Sequence, residues 1–213
     1  MPAMLAMNSY DTICHEHLEY YSFSVIENLM QRCDMKVVKV EFNNINGGSI
    51  RCYVTHSDNF KFKNRQNEEN ISAIRQKEFD LELDTDKPYQ DFQQRINQHK
   101  IDLLRLIHEI KKDNKTIHIY GASTKGNTIL QWCGLDNQVI DYAADRNPDK
   151  DGAMTIGSNI PIISEEKSRR MKPDYYLVLP WHFRDEFLER ESTFLSGGGS
   201  FIFPLPLVEV FKY

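Results

Sequence analysis

The sequence has no long apolar run: its 213 residues contain no stretch of about 20 apolar residues, the length that spans a bilayer. The N-terminus also lacks the basic and then apolar pattern of a signal peptide. With a net charge of −5, the chain has no excess of positive charge for binding nucleic acid or an anionic membrane. We therefore expect a soluble, cytoplasmic protein that has neither nucleic acid nor membrane as a partner.

Cysteine is scarce, and its spacing fits neither a disulfide framework nor a metal site. The four cysteines, Cys14, Cys33, Cys52 and Cys133, include no CxxC pair. A chain of this size, 40% hydrophobic, can bury a core without covalent cross-links. We predict reduced thiols in a reducing compartment, and no metal site.

Residues 10–22 hold an unusual density of groups that can transfer protons: two histidines, three acids, three tyrosines and a thiol. Histidine, with an ordinary pKa of about 6.5, can give or take a proton near neutrality, and a neighbouring carboxylate can orient its ring. His15 and His17 are two positions apart, so only one is expected to reach a given substrate atom. The alternative interpretation is a polar helix start that packs through Tyr20 and Tyr21.

The first sixty residues alternate between helical and strand patterns. The spacing predicts a helix over 24–34 that Ser24 can cap, and strands over 36–44 and 49–55. The glycine-containing segment 44–48 is predicted to turn between them. Residues 57–70 are polar and are predicted to form a linker. A helical region follows, breaks at Lys87–Pro88 and continues to Lys112, where it is expected to bridge two domains.

A second informative stretch is the glycine-containing loop over 121–128, which follows a β-rich segment, 116–120, and opens a helix. A loop of this kind directs free N–H groups and the positive end of the helix toward an anion. It is neither GxGxxG nor a P-loop, because asparagine stands where a P-loop has lysine. We predict an anion-binding loop; in the alternative interpretation the glycines only permit tight packing. The loop residues that would meet substrate are Gly121, Ser123, Lys125, Gly126 and Asn127.

Two further strand ends carry candidate binding residues. Asp145 ends the predicted strand 139–144, about 20 residues beyond the loop, where dinucleotide folds place the acid that holds a ribose. Asp145 and Lys150 are therefore candidate substrate contacts. Trp181 and His182 follow the predicted strand 174–179, and ligands of such sheets bind outside the carboxyl ends of the strands.

These residues also carry a family resemblance. Asp-Thr-Ile-x-His-Glu-His-Leu-x-Tyr-Tyr-Ser, residues 11–22, resembles the signature of the S-adenosylmethionine-dependent sugar C-methyltransferases. These enzymes methylate a carbon of a nucleotide-linked keto-deoxysugar. Three later stretches resemble their C-terminal domain in the same order: Gly-Ala-x-x-Lys-Gly-Asn-Thr at 121–128, Leu-Pro-Trp at 179–181, and Gly-Gly-x-Phe-Ile-x-Pro-Leu-Pro at 198–206.

The resemblance implies roles for four neighbouring residues. His17 takes the role of the base, Glu16 and His15 are its neighbours in the site, and Cys14 stands where well-studied members have tyrosine. The chemistry agrees, because methylating a carbon next to a ketone requires removal of a C–H proton before that carbon attacks the methyl group. By the same resemblance the cofactor is S-adenosylmethionine and the substrate partner is a nucleotide sugar.

The resemblance also implies a fold: an α/β chain with the tail of a class I methyltransferase Rossmann-like sheet, followed by a second Rossmann-like α/β domain. We expect 1–60 to end the methyltransferase domain, 61–112 to form a helical bridge and 113–213 to form the substrate domain. No strand and GxGxG turn for the methyl donor precedes Tyr10. We therefore expect the C-terminal half of a larger enzyme, inactive alone, whose other half lies elsewhere in the polypeptide or in a separate chain.

Two alternatives stay open at this point. One is a noncatalytic nucleotide-sugar-binding module. The other is a dinucleotide-dependent oxidoreductase built on Gly121 and Asp145, although no second glycine follows Gly121 two residues later.

Overall fold

The computed structural model describes residues 1–43 and 47–213. Two compact units divide the chain: Met1–Met7 with Leu18–Gln93, and Asn8–His17 with Gln94–Tyr213. The change of unit at 93–94 lies inside one long helix. The division at residues 60 and 112 that the sequence suggests stays a prediction.

The first unit is built on an antiparallel hairpin. Helix α1 (Pro2–Ala6) and helix α2 (Phe23–Arg32) precede strands β1 (Met35–Asn43) and β2 (Ser49–His56), which pair from Met35↔His56 to Asn43↔Ser49. Helix α3 (Arg65–Asp80) follows, then the first turns of α4 (Lys87–Lys112). Phe23 of α2, Val40 of β1 and Ile71 of α3 form the buried core.

Several sequence-based boundaries in this unit hold, and others are wrong. The helix and both strands lie within one or two residues of their predicted limits, whereas the predicted turn lies partly outside the described residues. The linker ends early, because Asn64 accepts the N–H of Asn67 and starts α3. Ser22, not Ser24, caps α2. Pro88 does not break a helix; it lies in the first turn of α4, where its missing N–H costs nothing.

A buried glutamate joins α3 to the start of α2. Glu78 is 7% exposed, and its two carboxylate oxygens accept the N–H groups of Phe23 at 2.6 Å and Ser24 at 2.8 Å. These N–H groups lie in the first turn of α2 and have no partner inside the helix. Glu78 therefore holds the start of α2 against α3 from a position more than 50 residues later.

The second unit is a six-stranded sheet with the order β5-β4-β3-β6-β7-β8, parallel except for its last pair. The strands are β3 (Ile117–Tyr120), β4 (Tyr142–Asp145), β5 (Ile162–Ser164), β6 (Tyr175–Val178), β7 (Ser200–Phe203) and β8 (Glu209–Phe211). The helices are the rest of α4, then α5 (Thr124–Cys133), α6 (Glu165–Met171), α7 (Arg184–Arg190) and α8 (Ser192–Ser196). The α/β class is thus confirmed, with a mostly parallel sheet in doubly wound strand order.

The sequence pattern missed two strands and one helix break in this unit. β5 and β8 are each three residues long, too short to show a period. The helical segment over 184–196 is interrupted at Glu191, whose buried carboxylate accepts from the Tyr120 hydroxyl and from Arg169. No helix among the described residues is both long and apolar enough to span a bilayer.

Replacing Glu78 tests its role in the first unit. Glu78→Ala leaves two N–H groups of α2 without their buried acceptor, so the free energy of unfolding should fall by about 2 to 3 kcal/mol in chemical denaturation. The control is Glu69→Ala on the same helix, whose exposed side chain pairs with Arg65. It should change the same quantity by less than about 0.5 kcal/mol. Equal losses in the two variants would contradict the assignment.

Candidate active site at the ends of two parallel strands

The loop after β3 and the turn after β6 meet because these strands are parallel neighbours. Gly121 has a φ of +86°, and a Cβ there would lie 2.5 Å from Cγ of Pro180. A Cβ on Gly126 would lie 2.5 Å from Cδ1 of Leu179. Both contacts are too short for any other residue without movement of a neighbour. Tight packing therefore requires glycine at both positions, whichever interpretation of the loop holds.

Polar groups of the chain itself hold this loop. Ser123 Oγ accepts the N–H of Gly126 and caps α5, and Asn127 donates its N–H to the Ser123 carbonyl. Asp145 Oδ2 accepts the N–H of Ala122 at 2.9 Å. Lys150 Nζ donates to the carbonyl of Ala122 at 2.7 Å and to Asp145 at 3.1 Å. Asp145 and Lys150 thus clamp the loop, and their role toward substrate stays a prediction.

The motif rich in proton-transfer groups lies against the same strand ends. Its first residues, Tyr10–Thr12, form a 3₁₀ turn. Trp181 Nε1 donates to Asp11 Oδ2 at 3.0 Å, and both side chains are buried. Further along the motif, Glu16 Oε1 accepts from Thr124 Oγ1 at 3.4 Å. The motif, the loop and the end of β6, identified separately in the sequence, therefore form one site.

His17 has a defined tautomer. Its Nδ1 lies 2.8 Å from the carbonyl oxygen of Thr12. A carbonyl only accepts, so Nδ1 carries the proton and Nε2 is the basic nitrogen of the neutral ring. His17 is half-buried, whereas the side chain of His15 is 77% exposed with its Nε2 4.0 Å from Glu16. Of the two histidines, only His17 is built into the site; Cys14 is a half-buried free thiol.

The positive charge of Lys125 acts on two groups of the site. Burial raises the pKa of Asp11, while the hydrogen bond from Trp181 and the charge of Lys125 act in the opposite direction. Burial also lowers the pKa of the half-buried His182, and the charge of Lys125 lowers it further. Lys125 therefore acts on both Asp11 and His182, and these three residues share one electrostatic environment.

A buried chain of hydrogen bonds lies behind the turn. Tyr10 Oη is 3.1 Å from Nδ1 of His99, whose Nε2 is 2.6 Å from the carbonyl of Pro204. Cys133 Sγ lies 3.7 Å from the same hydroxyl. His99 is 5% exposed, whereas His108 on the same helix is exposed.

Three of these residues, Tyr10, Asp11 and His99, were not among the predicted site residues. The partner of Asp11 lies 170 residues away and that of Tyr10 lies 89 residues away. Spacing along the chain therefore gives no signal for either contact. Within 1–43 and 47–213, no three His, Cys, Asp or Glu side chains form a group that could hold a metal ion.

Comparison with known proteins identifies the family of the chain. A family model described as the C-methyltransferase C-terminal domain matches residues 44–206. The chain is also 32% identical, over 203 residues, to a Streptomyces niveus protein described as "C-methyltransferase NovU". That alignment covers 95% of this chain and 47% of the relative, so the chain spans about half the relative's length.

The buried state of His99 predicts a pH dependence. Burial lowers its pKa below the ordinary value of about 6.5. Near and below that pH, the unfolded chain therefore binds more protons than the folded chain does. The stability that neutral His99 contributes is complete above that pH and is lost as the pH falls toward the folded-state pKa. As the pH is lowered from about 6.5 to 5, the free energy of unfolding should therefore fall less steeply in His99→Gln than in the unmodified protein. The two slopes should differ by up to about 1.4 kcal/mol per pH unit.

The control for this measurement is His108→Gln, which replaces an exposed histidine of the same helix. Denaturation at several pH values should give this variant the slope of the unmodified protein. If His99→Gln kept that slope as well, the neutral buried state of His99 would be disproved.

Proposed function

This chain belongs to the C-methyltransferase family, and from that premise we propose that it supplies the base and part of the substrate site of an S-adenosylmethionine-dependent enzyme. The proposed substrate is a nucleotide-linked keto-deoxysugar. The observation that carries the proposal is the defined tautomer of His17 at the edge where ligands of parallel sheets bind.

The proposed step of this chain is removal of a proton from the carbon next to the sugar ketone. Nε2 of His17 takes the proton, and a positioned base contributes about 100- to 10,000-fold to such a step. When Nε2 takes the proton, Nδ1–H stays bonded to the Thr12 carbonyl, so the ring keeps its orientation. Glu16, next to His17 in sequence and in contact with Thr124, adds a negative charge.

Lys125 is the proposed contact for the negative part of the nucleotide sugar. It extends from the first turn of α5, where the positive end of the helix also favours an anion. Gly126 has its N–H bonded to Ser123 and Ala122 has its N–H bonded to Asp145, so these two groups are already used inside the loop. The lysine side chain is therefore the main anion-binding group that we assign to the loop.

S-adenosylmethionine supplies an electrophilic methyl group when bound, but the described residues do not fit its site. The hairpin β1–β2 follows α2, and among the described residues of the first unit neither strand leads into a glycine-rich turn that opens a helix. In the second unit, the acid that would hold a ribose is bonded to Ala122 and Lys150. We propose that residues outside this chain, in the same polypeptide or a separate one, bind the donor.

The hairpin is the proposed contact with that donor-binding part, as the end of a methyltransferase sheet. Both strands carry exposed apolar side chains, Phe42 at 65% and Val54 at 40%. A sheet edge of this kind can pair with further strands. We propose that the chain alone does not transfer methyl groups. Its four cysteines are free thiols, which supports a reducing, cytoplasmic location.

Ligand binding by the isolated chain tests whether it binds the nucleotide sugar while residues outside it bind S-adenosylmethionine. Calorimetric titration should show binding of a dTDP-linked keto-deoxysugar and none of S-adenosylmethionine. Lys125→Gln should weaken sugar-nucleotide binding by about tenfold or more, because one charge-assisted contact is lost. Lys167→Gln, an exposed lysine of α6, is the control and should bind as the unmodified chain does. Tight binding of S-adenosylmethionine would contradict the proposed division.

The base can be tested without a methyl donor. In D₂O, the chain should exchange the proton on the carbon next to the ketone for deuterium, which NMR of the sugar detects. His17→Gln should slow this exchange by about 100- to 10,000-fold, while His15→Gln should leave it nearly unchanged. Substrate binding with equal exchange in the unmodified chain and in His17→Gln would instead indicate a noncatalytic nucleotide-sugar-binding module.

A further inference from the structure

We propose that Tyr10 and Asp11 are positioning residues that set the tautomer of His17, although neither side chain is described in contact with it. They do so by fixing the 3₁₀ turn at two buried points, which places the carbonyl of Thr12 against Nδ1 of His17. This inference rests on the proposed function of His17 as the base.

The first fixed point is the bond between Asp11 and Trp181. Asp11 is 2% exposed and Trp181 is 6% exposed, so water does not compete for their hydrogen bond. Trp181 lies three residues beyond the end of β6, and Leu179 between them donates its N–H to the Tyr120 carbonyl of β3 at 3.2 Å, so the sheet holds the segment that leads to Trp181. The Asp11 side chain transmits that fixed position to the middle of the turn.

The second fixed point is the chain of bonds from Tyr10. The carbonyl of Pro204 only accepts, so His99 carries its proton on Nε2 and its Nδ1 must accept. The Tyr10 hydroxyl is thus the donor to Nδ1 of His99. This anchor lies on α4 and on the segment after β7, so the turn is held from elements different from those that hold Asp11.

Short backbone bonds carry the position of the turn to His17. Thr12 donates its N–H to Ser9, Ile13 to Tyr10 and His17 to Cys14, each at 2.9 to 3.1 Å. These bonds leave the backbone between the turn and the imidazole little conformational freedom. The carbonyl of Thr12 therefore lies against Nδ1 and not against Nε2, so the proton is held on Nδ1 and Nε2 is the basic nitrogen.

The turn is retained at a cost, which favours a functional role over a purely structural one. Among the described residues, Asn8 Oδ1, Ser9 Oγ and Asp11 Oδ1 are buried without a hydrogen-bond partner. Each such atom disfavours folding. Unsatisfied groups of this kind concentrate where a site requires a particular backbone path.

The tautomer can be observed directly by NMR. In a chain with ¹⁵N-labelled histidine, ¹H–¹⁵N correlation spectra distinguish Nδ1–H from Nε2–H, and His17→Gln identifies the signal of His17. The unmodified chain should show Nδ1–H. Asp11→Ala and Tyr10→Phe should replace that signal by a mixture of both tautomers. Asp11→Asn keeps an oxygen acceptor for Trp181 and should retain Nδ1–H.

Tyr176→Phe is the matched control. It also removes one buried tyrosine hydroxyl, bonded to Ser168, but it does not touch the turn. Its His17 signal should remain Nδ1–H even if its stability falls as much as that of Tyr10→Phe. Trp181→Phe removes only the donor to Asp11, and it replaces Asp11→Ala if that variant does not fold.

The outcomes separate the two proposals, because the NMR signal needs neither substrate nor turnover. An unchanged Nδ1–H signal in Asp11→Ala, Trp181→Phe and Tyr10→Phe would overturn the positioning role and leave the base role standing. A shifted tautomer in these variants, together with no deuterium exchange by the unmodified chain, would support positioning and disprove the base. A mixed tautomer in Tyr176→Phe would also overturn the inference, since any loss of stability would then suffice.

Discussion

The site depends on one constraint, the parallel pairing of β3 with β6. Because both strands run in the same direction, their carboxyl ends reach one edge of the sheet, and the segments that leave them must share that space. Gly121 and Gly126 allow the two segments to come into contact. Trp181, which follows β6, then donates to Asp11, and the charge of Lys125, which follows β3, acts on the same carboxylate. Without this pairing, Asp11 and its neighbours in the motif would lose the surface against which they lie.

Polar burial is the second theme. The second unit buries Asp11, His99 and His118, which an ordinary core avoids. His99 and His118 each have hydrogen-bond partners, and burial favours their neutral state. Asp11 has one oxygen bonded and one without a partner. Asp11, the incompletely satisfied residue of the three, belongs to the motif. A site there requires a particular geometry even at some cost in stability.

The local part of this picture was accessible from the sequence. Period-two and period-3.6 patterns located β1, β2, α2 and most elements of the larger sheet, and the density of His and Glu in 10–22 marked the motif. What the sequence could not give were contacts across the chain, such as those of Trp181 with Asp11 and Glu78 with α2. Asp145 shows the limit most clearly: its spacing from the loop predicts a ligand contact, which stays a prediction, but no pattern in the sequence indicated that it also holds the loop.

That clamp has a thermodynamic consequence. Asp145 serves as an internal anion, because it accepts a backbone N–H of the loop that the sequence predicts to bind an anion. The loop is consequently ordered by the fold before any ligand arrives, with Lys150 joining both sides of it. The entropy of ordering this backbone is lost during folding, not during association. A ligand that reaches the loop meets a preformed surface, and the side chain of Lys125 is the main part that it must still immobilise.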